Sequence, residues 1–200
     1  MMTPSPYIQI PEEKWIDVTK NLIKKHPLSI DLIRDTVLSS WDIILTTKLG
    51  RYQIGKNIFP KPQIMGFFLH ELIPLEISAK ISGWKKDDTN SEKDLVCIAD
   101  STFSIEIKTS SSDGKIYGNR SYSQKTTKSK KDKSGYYLAI NFEKFTPSNK
   151  NPKITKIRFG WLDHEDWTGQ AAQTGQQASL SKQVEQFKLL EIYPQNNTGI

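Results

Sequence analysis

A chain of 200 residues with 36% hydrophobic and 10% aromatic content can bury one domain-sized core, while a mean hydropathy of -0.55 demands a wet surface. The single cysteine, Cys97, excludes an internal disulfide framework and a thiolate metal site, and no apolar run reaches membrane-spanning length. The net charge of +6 is concentrated: Lys115 to Lys133 carries seven basic residues against Asp132 alone, and the rest of the chain balances to zero. Such clustering is the electrostatic footprint of a polyanion partner. Residues Met1 to Pro6 lack a basic segment followed by an apolar run, so no secretory signal is expected and the setting reads as cytoplasmic and reducing.

Trp15, Val18, Leu22 and Ile23 recur at helical spacing, and Pro27 ends that run. A second helix is predicted over 31–47, with Ile33, Val37, Trp41 and Ile44 as its stripe. Residues 50–63 form a Gly/Pro-rich connector. Residues 65–81 read as a helix that carries Glu71, with Pro74 as a kink. Gly83 to Lys93 reads as a charged turn region. Strands are predicted for the two halves of 94–108, for 136–142, for 154–162 and for 187–193. Thr168 to Ser179, rich in glutamine, reads as a loop leading to a short helix, and the tail after Pro194 as frayed. The layout is α/β: a helical N-terminal region, then a mixed four- to five-stranded sheet flanked by helices.

The chemistry is concentrated in Asp94 to Lys108. Side chains alternate faces along a strand, and opposed residues of an antiparallel pair share a face. A turn centred on Ser101 sets Asp94 opposite Lys108 and Val96 opposite Glu106. Asp94, Glu106 and Lys108 then share one face, while Leu95, Cys97, Ile105 and Ile107 make the apolar one. Asp100 has the same parity but lies roughly 13 Å from the position opposite Glu106, at about 3.3 Å per residue. Two carboxylates on neighbouring strands suit Mg²⁺, which takes one or two carboxylates plus water and substrate phosphate. A lysine beside them can stabilise charge on a phosphorane or hold the attacking water. Read alone, the same residues also describe a solvated strand face with an Asp94–Lys108 pair.

Tyr117, Asn119, Arg120, Tyr122 and Gln124 are interleaved with Lys115, Lys125, Lys128 and Lys130, a mixture suited to both phosphates and bases. Gln170, Gln173, Gln176 and Gln177 offer the bidentate amide pattern that reads adenine. His26, His70 and His164 have no metal-pair spacing and read as structural, although His164 stands in an acidic cluster with Asp163, Glu165 and Asp166. No nucleophile elbow, Walker loop or Rossmann glycine pattern is present.

The run Asp94…Glu106-Ile-Lys108 after a Glu-bearing helix resembles the PD-(D/E)XK nuclease core, with Lys93 where proline often precedes the first acid. Gly118 to Gln124, Phe159 to Trp167 and Thr174 to Ala178 are similar to blocks of the ScaI-type restriction endonuclease family. That resemblance spans about residues 65–193. It implies a single nuclease domain over 1–200, with a helical region at 1–63, a catalytic core at 64–193 and a tail at 194–200. It implies a Type II restriction endonuclease: a homodimer that cuts both strands of a short palindromic DNA site with Mg²⁺, for which Mn²⁺ substitutes. A cognate DNA methyltransferase is the implied functional partner. Asp94 and Glu106 would bind metal, Lys108 would be the catalytic lysine, and Glu71, or in its place Glu76, would assist from the helix. A homing endonuclease, a junction resolvase or a non-catalytic DNA-binding module fits the same residues as an alternative.

Overall fold

The computed structural model describes residues 4–89, 91–123, 132–172 and 174–194. An irregular strap leads into α1 (Trp15–Lys25) and α2 (Ile30–Thr46). His26 is extended because it precedes Pro27. Ser29 caps α2, its hydroxyl accepting from the Leu32 amide at 3.2 Å. A short ribbon, β1 (Lys48–Leu49) and β2 (Tyr52–Gln53), precedes α3 (Pro62–Lys80). α3 opens on proline, where a missing N–H costs nothing, and it stays helical through Pro74. Only the carbonyl of His70 loses its partner there. The remaining elements are β3 (Trp84–Lys86), β4 (Leu95–Cys97), β5 (Ile105–Ser110), β6 (Tyr117–Asn119), β7 (Gly135–Phe142), β8 (Ile154–Leu162), β9 (Trp167–Gly169), β10 (Gln177–Leu180), α4 (Lys182–Phe187) and β11 (Leu189–Tyr193).

The main sheet runs β11-β8-β7-β5-β4-β3, six strands where four or five were expected. Only β5 and β7 are parallel; every other neighbour is antiparallel. The extra strand is β3, inside the segment read as a charged turn. Trp84 pairs with Cys97 and turns into the core, and Lys85 stays exposed on the edge, where lysine discourages further strand addition. A second sheet, β6-β10-β9, replaces the loop and short helix expected for the glutamine-rich stretch. Gln177 pairs with Asn119, and Ala178 with Gly169. The short helix comes later, as α4. Gln177-Ala178-Ser179-Leu180 does alternate, with Ala178 buried, but four residues inside a small, polar, glutamine-rich stretch are too short a run to stand out, and one of the two partners, β6, is distant in sequence.

Each face of the main sheet buries a core. Ile105, Ile107, Tyr136, Leu138 and Ile140 pack with Ile23, Val37, Trp41, Leu69 and Ile73 of the three long helices. That cluster runs from Tyr7 to Ile192, so the N-terminal helices and the sheet share one core. On the other face, Tyr137, Ala139, Leu162 and Leu189 meet Ile116, Trp167, Ala178 and Val184, from the small sheet and α4. Glu106 lies in register with Tyr137, and Lys108 with Ala139. Both therefore point to the second face, between the two sheets. α3 crosses close to β5: a Cβ on Gly66 would stand 2.6 Å from Thr109 Oγ1, so a larger residue there would force the Thr109 side chain to move.

Candidate active site

β4 and β5 pair through Leu95 and Ile105, which sets Asp94 opposite Glu106 and not Lys108. The expected register was two residues out. A 3-10 turn at Ser101–Phe103 accounts for the difference, capped by Asp100, whose Oδ1 accepts from the Thr102 amide at 2.9 Å and from its hydroxyl at 2.7 Å. The turn centre therefore falls on residue 100. A two-residue slip keeps the side-chain parity, so the shared face of Asp94, Glu106 and Lys108 is unaffected. Asp100 itself is exposed, and its bonds to Thr102 hold its carboxyl below the ordinary aspartate value.

The Ile107 amide donates to Asp94 Oδ2 at 2.6 Å, which fixes the acid against the neighbouring strand. Glu106 is 3% exposed. Lys108 Nζ donates to Glu106 Oε1 at 2.5 Å and to the phenolic oxygen of Tyr122 at 2.9 Å. Tyr122 in turn donates to Glu106 Oε1 at 2.5 Å. Burial works against the charge on Lys108, yet Glu106, Tyr122 and Asp94 together keep its pKa above the ordinary lysine value. The amine therefore stays an ammonium and cannot serve as a base in this arrangement. Burial, reinforced by Glu106, keeps the Tyr122 phenol protonated against the pull of Lys108.

Sequence reasoning missed two residues here. His70, set aside as structural, places Nδ1 3.6 Å from Asp94 Oδ1. Tyr122, read only as a DNA contact, lies inside the cluster. Glu71 goes elsewhere: its carboxylate pairs with Lys86 of β3 at 2.9 Å, because one residue along a helix is a rotation of about 100°. Glu76 pairs with Lys80 at 3.1 Å. Lys93, standing at the position often held by proline, is buried and donates to the carbonyls of Asp132 and Ser134. It ties the end of the basic segment to the residues that lead through Asp94 into β4.

A cleft of about 430 Å³ opens at His70, lined by Gln63, Gly66, Phe67 and His70 of α3, Thr109 to Ser112, Tyr117 and Gln177; Asp94, Glu106, Lys108 and Tyr122 are not part of its lining. Of the residues expected at DNA, Tyr117 and Gln177 thus reach the cleft. Asn119, Gln170 and Gln176 are exposed on or beside the small sheet, and Lys115 is exposed just before β6. Arg120 turns inward. Its guanidinium donates to the carbonyls of Ala172 and Gly175, each at 3.3 Å, and its amide donates to the Gln176 carbonyl at 2.7 Å. It holds the glutamine-rich turn in place. Gln124, Lys125, Lys128, Lys130 and Gln173 lie outside the described residues.

The acidic cluster around His164 is built around a buried lysine. Lys188 Nζ lies 2.7 Å from Asp166 Oδ1 and 3.3 Å from Asp163 Oδ2, and 4.3 Å and 4.5 Å from the Tyr7 and Trp15 ring centres. Ser5 donates to Asp163 at 2.7 Å. This network staples the N-terminal strap to the end of β8.

The family model described as the ScaI restriction endonuclease matches residues 5–193. The Type II restriction enzyme ScaI of Streptomyces caespitosus is 48% identical over 192 residues, covering 94% of this chain and 85% of that enzyme.

Proposed function

This chain belongs to the ScaI restriction endonuclease family, and on that premise we propose that it is a Type II restriction endonuclease which hydrolyses both strands of a short palindromic DNA site as a homodimer. The observation that carries the reading is the set of Asp94, Glu106 and the Lys108 ammonium gathered where β4 meets β5, beside a polar cleft. A cognate methyltransferase is its functional partner, protecting the same site in host DNA.

Asp94 and Glu106 present hard carboxylate oxygens from neighbouring strands, a donor set that fits Mg²⁺, or Mn²⁺ in its place. A pair of carboxylates is the protein share that Mg²⁺ commonly takes alongside water and substrate phosphate. When bound, the cation supplies Lewis-acid polarisation and a lower pKa for the attacking water. Lys108, held as an ammonium, balances the negative charge that builds on the phosphoryl oxygens as water adds and the P–O bond breaks. The Ile107 amide keeps Asp94 aimed across the strand pair. Donors at Ser110 to Ser112 and the basic residues Lys115, Lys125, Lys128 and Lys130 engage the DNA backbone, which positions it without reading sequence. Tyr117, Asn119, Gln170, Gln173, Gln176 and Gln177 offer contacts to base edges.

Digestion of a plasmid of known sequence with Mg²⁺, followed by sequencing of the ends, tests this reading. Discrete fragments sharing one terminal sequence are expected, EDTA stops the reaction, and Ca²⁺ supports specific binding without turnover. Intact plasmid in Mg²⁺, or full cutting in EDTA, overturns it.

A further inference from the structure

The hydroxyl of Tyr122 stands at the centre of the site, yet the mechanism above gives it no task. It donates to Glu106 Oε1 at 2.5 Å and accepts from Lys108 Nζ at 2.9 Å, so it contacts both members of the pair. The Lys108 ammonium also lies 4.6 Å from the ring centre. The ring is held in place from two sides. Trp167 packs against it with centroids 5.4 Å apart. Gly118 leaves the room it needs, because a Cβ there would stand 3.1 Å from the Tyr122 ring and 3.2 Å from Trp167.

Tyr122 belongs to the 3-10 turn Arg120–Ser123 that follows β6. Arg120, in the same turn, holds the carbonyls of Ala172 and Gly175, and its amide holds that of Gln176. The three residues Arg120 to Tyr122 therefore connect the glutamine-rich turn at one end to Glu106 and Lys108 at the other. We propose that Tyr122 is a positioning residue: its hydroxyl sets the Glu106–Lys108 pair relative to the small sheet, so that DNA seated on that sheet meets the pair in cutting geometry. This rests on the nuclease reading and adds a residue that reading does not need. If the ring served only as packing, phenylalanine would replace it without loss.

The test is Tyr122→Phe, which keeps the ring and removes the hydroxyl. A hydrogen bond to a charged group is worth enough that single-turnover cleavage of a saturating cognate duplex should slow by roughly tenfold to a hundredfold. Cognate binding measured with Ca²⁺ should be unchanged. Gly118→Ala, which crowds the ring by a few tenths of an ångström, should also slow cleavage, and the double variant should lose no more than the worse single one. In metal-free protein, Tyr122→Phe and Lys108→Met should be non-additive in their effect on the melting midpoint. Wild-type or faster cleavage by Tyr122→Phe overturns the inference, as does additivity in that cycle or an equal loss in Ca²⁺-dependent binding. Should Gly118→Ala not fold, the phenylalanine variant decides alone. A wild-type chain that cuts nothing in Mg²⁺ overturns the nuclease reading, and the inference with it; a cutting wild type with an undiminished phenylalanine variant overturns the inference alone.

Discussion

Glu106 and Lys108 stand in different positions from Asp100, although all three share the hairpin. Glu106 is buried against an ammonium, whereas Asp100 is exposed and satisfied by Thr102. Asp94→Ala, Glu106→Ala and Lys108→Ala should each cut cleavage by at least about a hundredfold, the scale on which removing one preorganised charge-stabilising group is felt. Asp100→Ala should cleave at the wild-type rate. Initial rates on a cognate duplex check the set, with melting curves to establish that each variant folds. An inactive Asp100→Ala beside an active Asp94→Ala would reverse the assignment of the second carboxylate. Glu106→Gln belongs in the series because truncation leaves Lys108 buried without its main counter-charge, a loss that can unfold a protein for reasons unrelated to catalysis.

At the scale of elements, His26 and Arg120 each join parts that are far apart in sequence. His26, at the end of α1, lies between Trp84, Phe103, Tyr136 and Phe159, and its Nε2 sits 3.0 Å from the Phe103 carbonyl. Burial lowers its pKa, against the weaker support of the Phe103 and Leu28 carbonyls. In the unfolded chain the imidazole takes its proton near the ordinary value of about 6.5. Its contribution to stability is therefore complete above that pH and is lost as the pH falls toward the lowered folded value. Urea midpoints measured from pH 8 to pH 5 should fall more steeply for wild type than for His26→Phe, and parallel slopes would refute the argument. Arg120 holds the glutamine-rich turn through backbone carbonyls, so Arg120→Ala should release a surface and not remove a phosphate clamp. Cognate binding should suffer more than random-DNA binding. Equal losses on both DNAs would make Arg120 a phosphate clamp instead.

For the whole molecule, charge is the governing quantity. The excess of +6 arises within 115–133, and Lys93 anchors the end of that segment beside β4 through the carbonyls of Asp132 and Ser134. Changing Lys128, Lys130 and Lys131 to Gln should lower the slope of log affinity against log salt by roughly 0.9 for each phosphate that is no longer neutralised. The ratio of cognate to random binding should hardly move, because phosphates carry no base information. Filter binding across a salt series measures both. A collapse of discrimination at an unchanged slope would place these lysines at base edges.

The sequence by itself determined the face shared by Asp94, Glu106 and Lys108, the apolar face behind it, the helices of the N-terminal region and the basic segment. Each of these depends on a local period or on composition, and parity survives a two-residue slip in register. The tertiary structure alone decided the rest. It set Asp94 opposite Glu106, because the turn type and not the strand pattern fixes the centre of a hairpin. It made Trp84–Lys86 and Gln177–Leu180 strands, because each is too short for its own residues to announce one and is defined by its pairing, with β4 in the first case and with β6 and β9 in the second. It brought His70 rather than Glu71 to Asp94, because helix rotation is fixed by what the opposite side of α3 buries. It put the Tyr122 hydroxyl on the Glu106–Lys108 pair, because a side chain reaches a site through the packing around it, here the space left by Gly118 and the ring of Trp167.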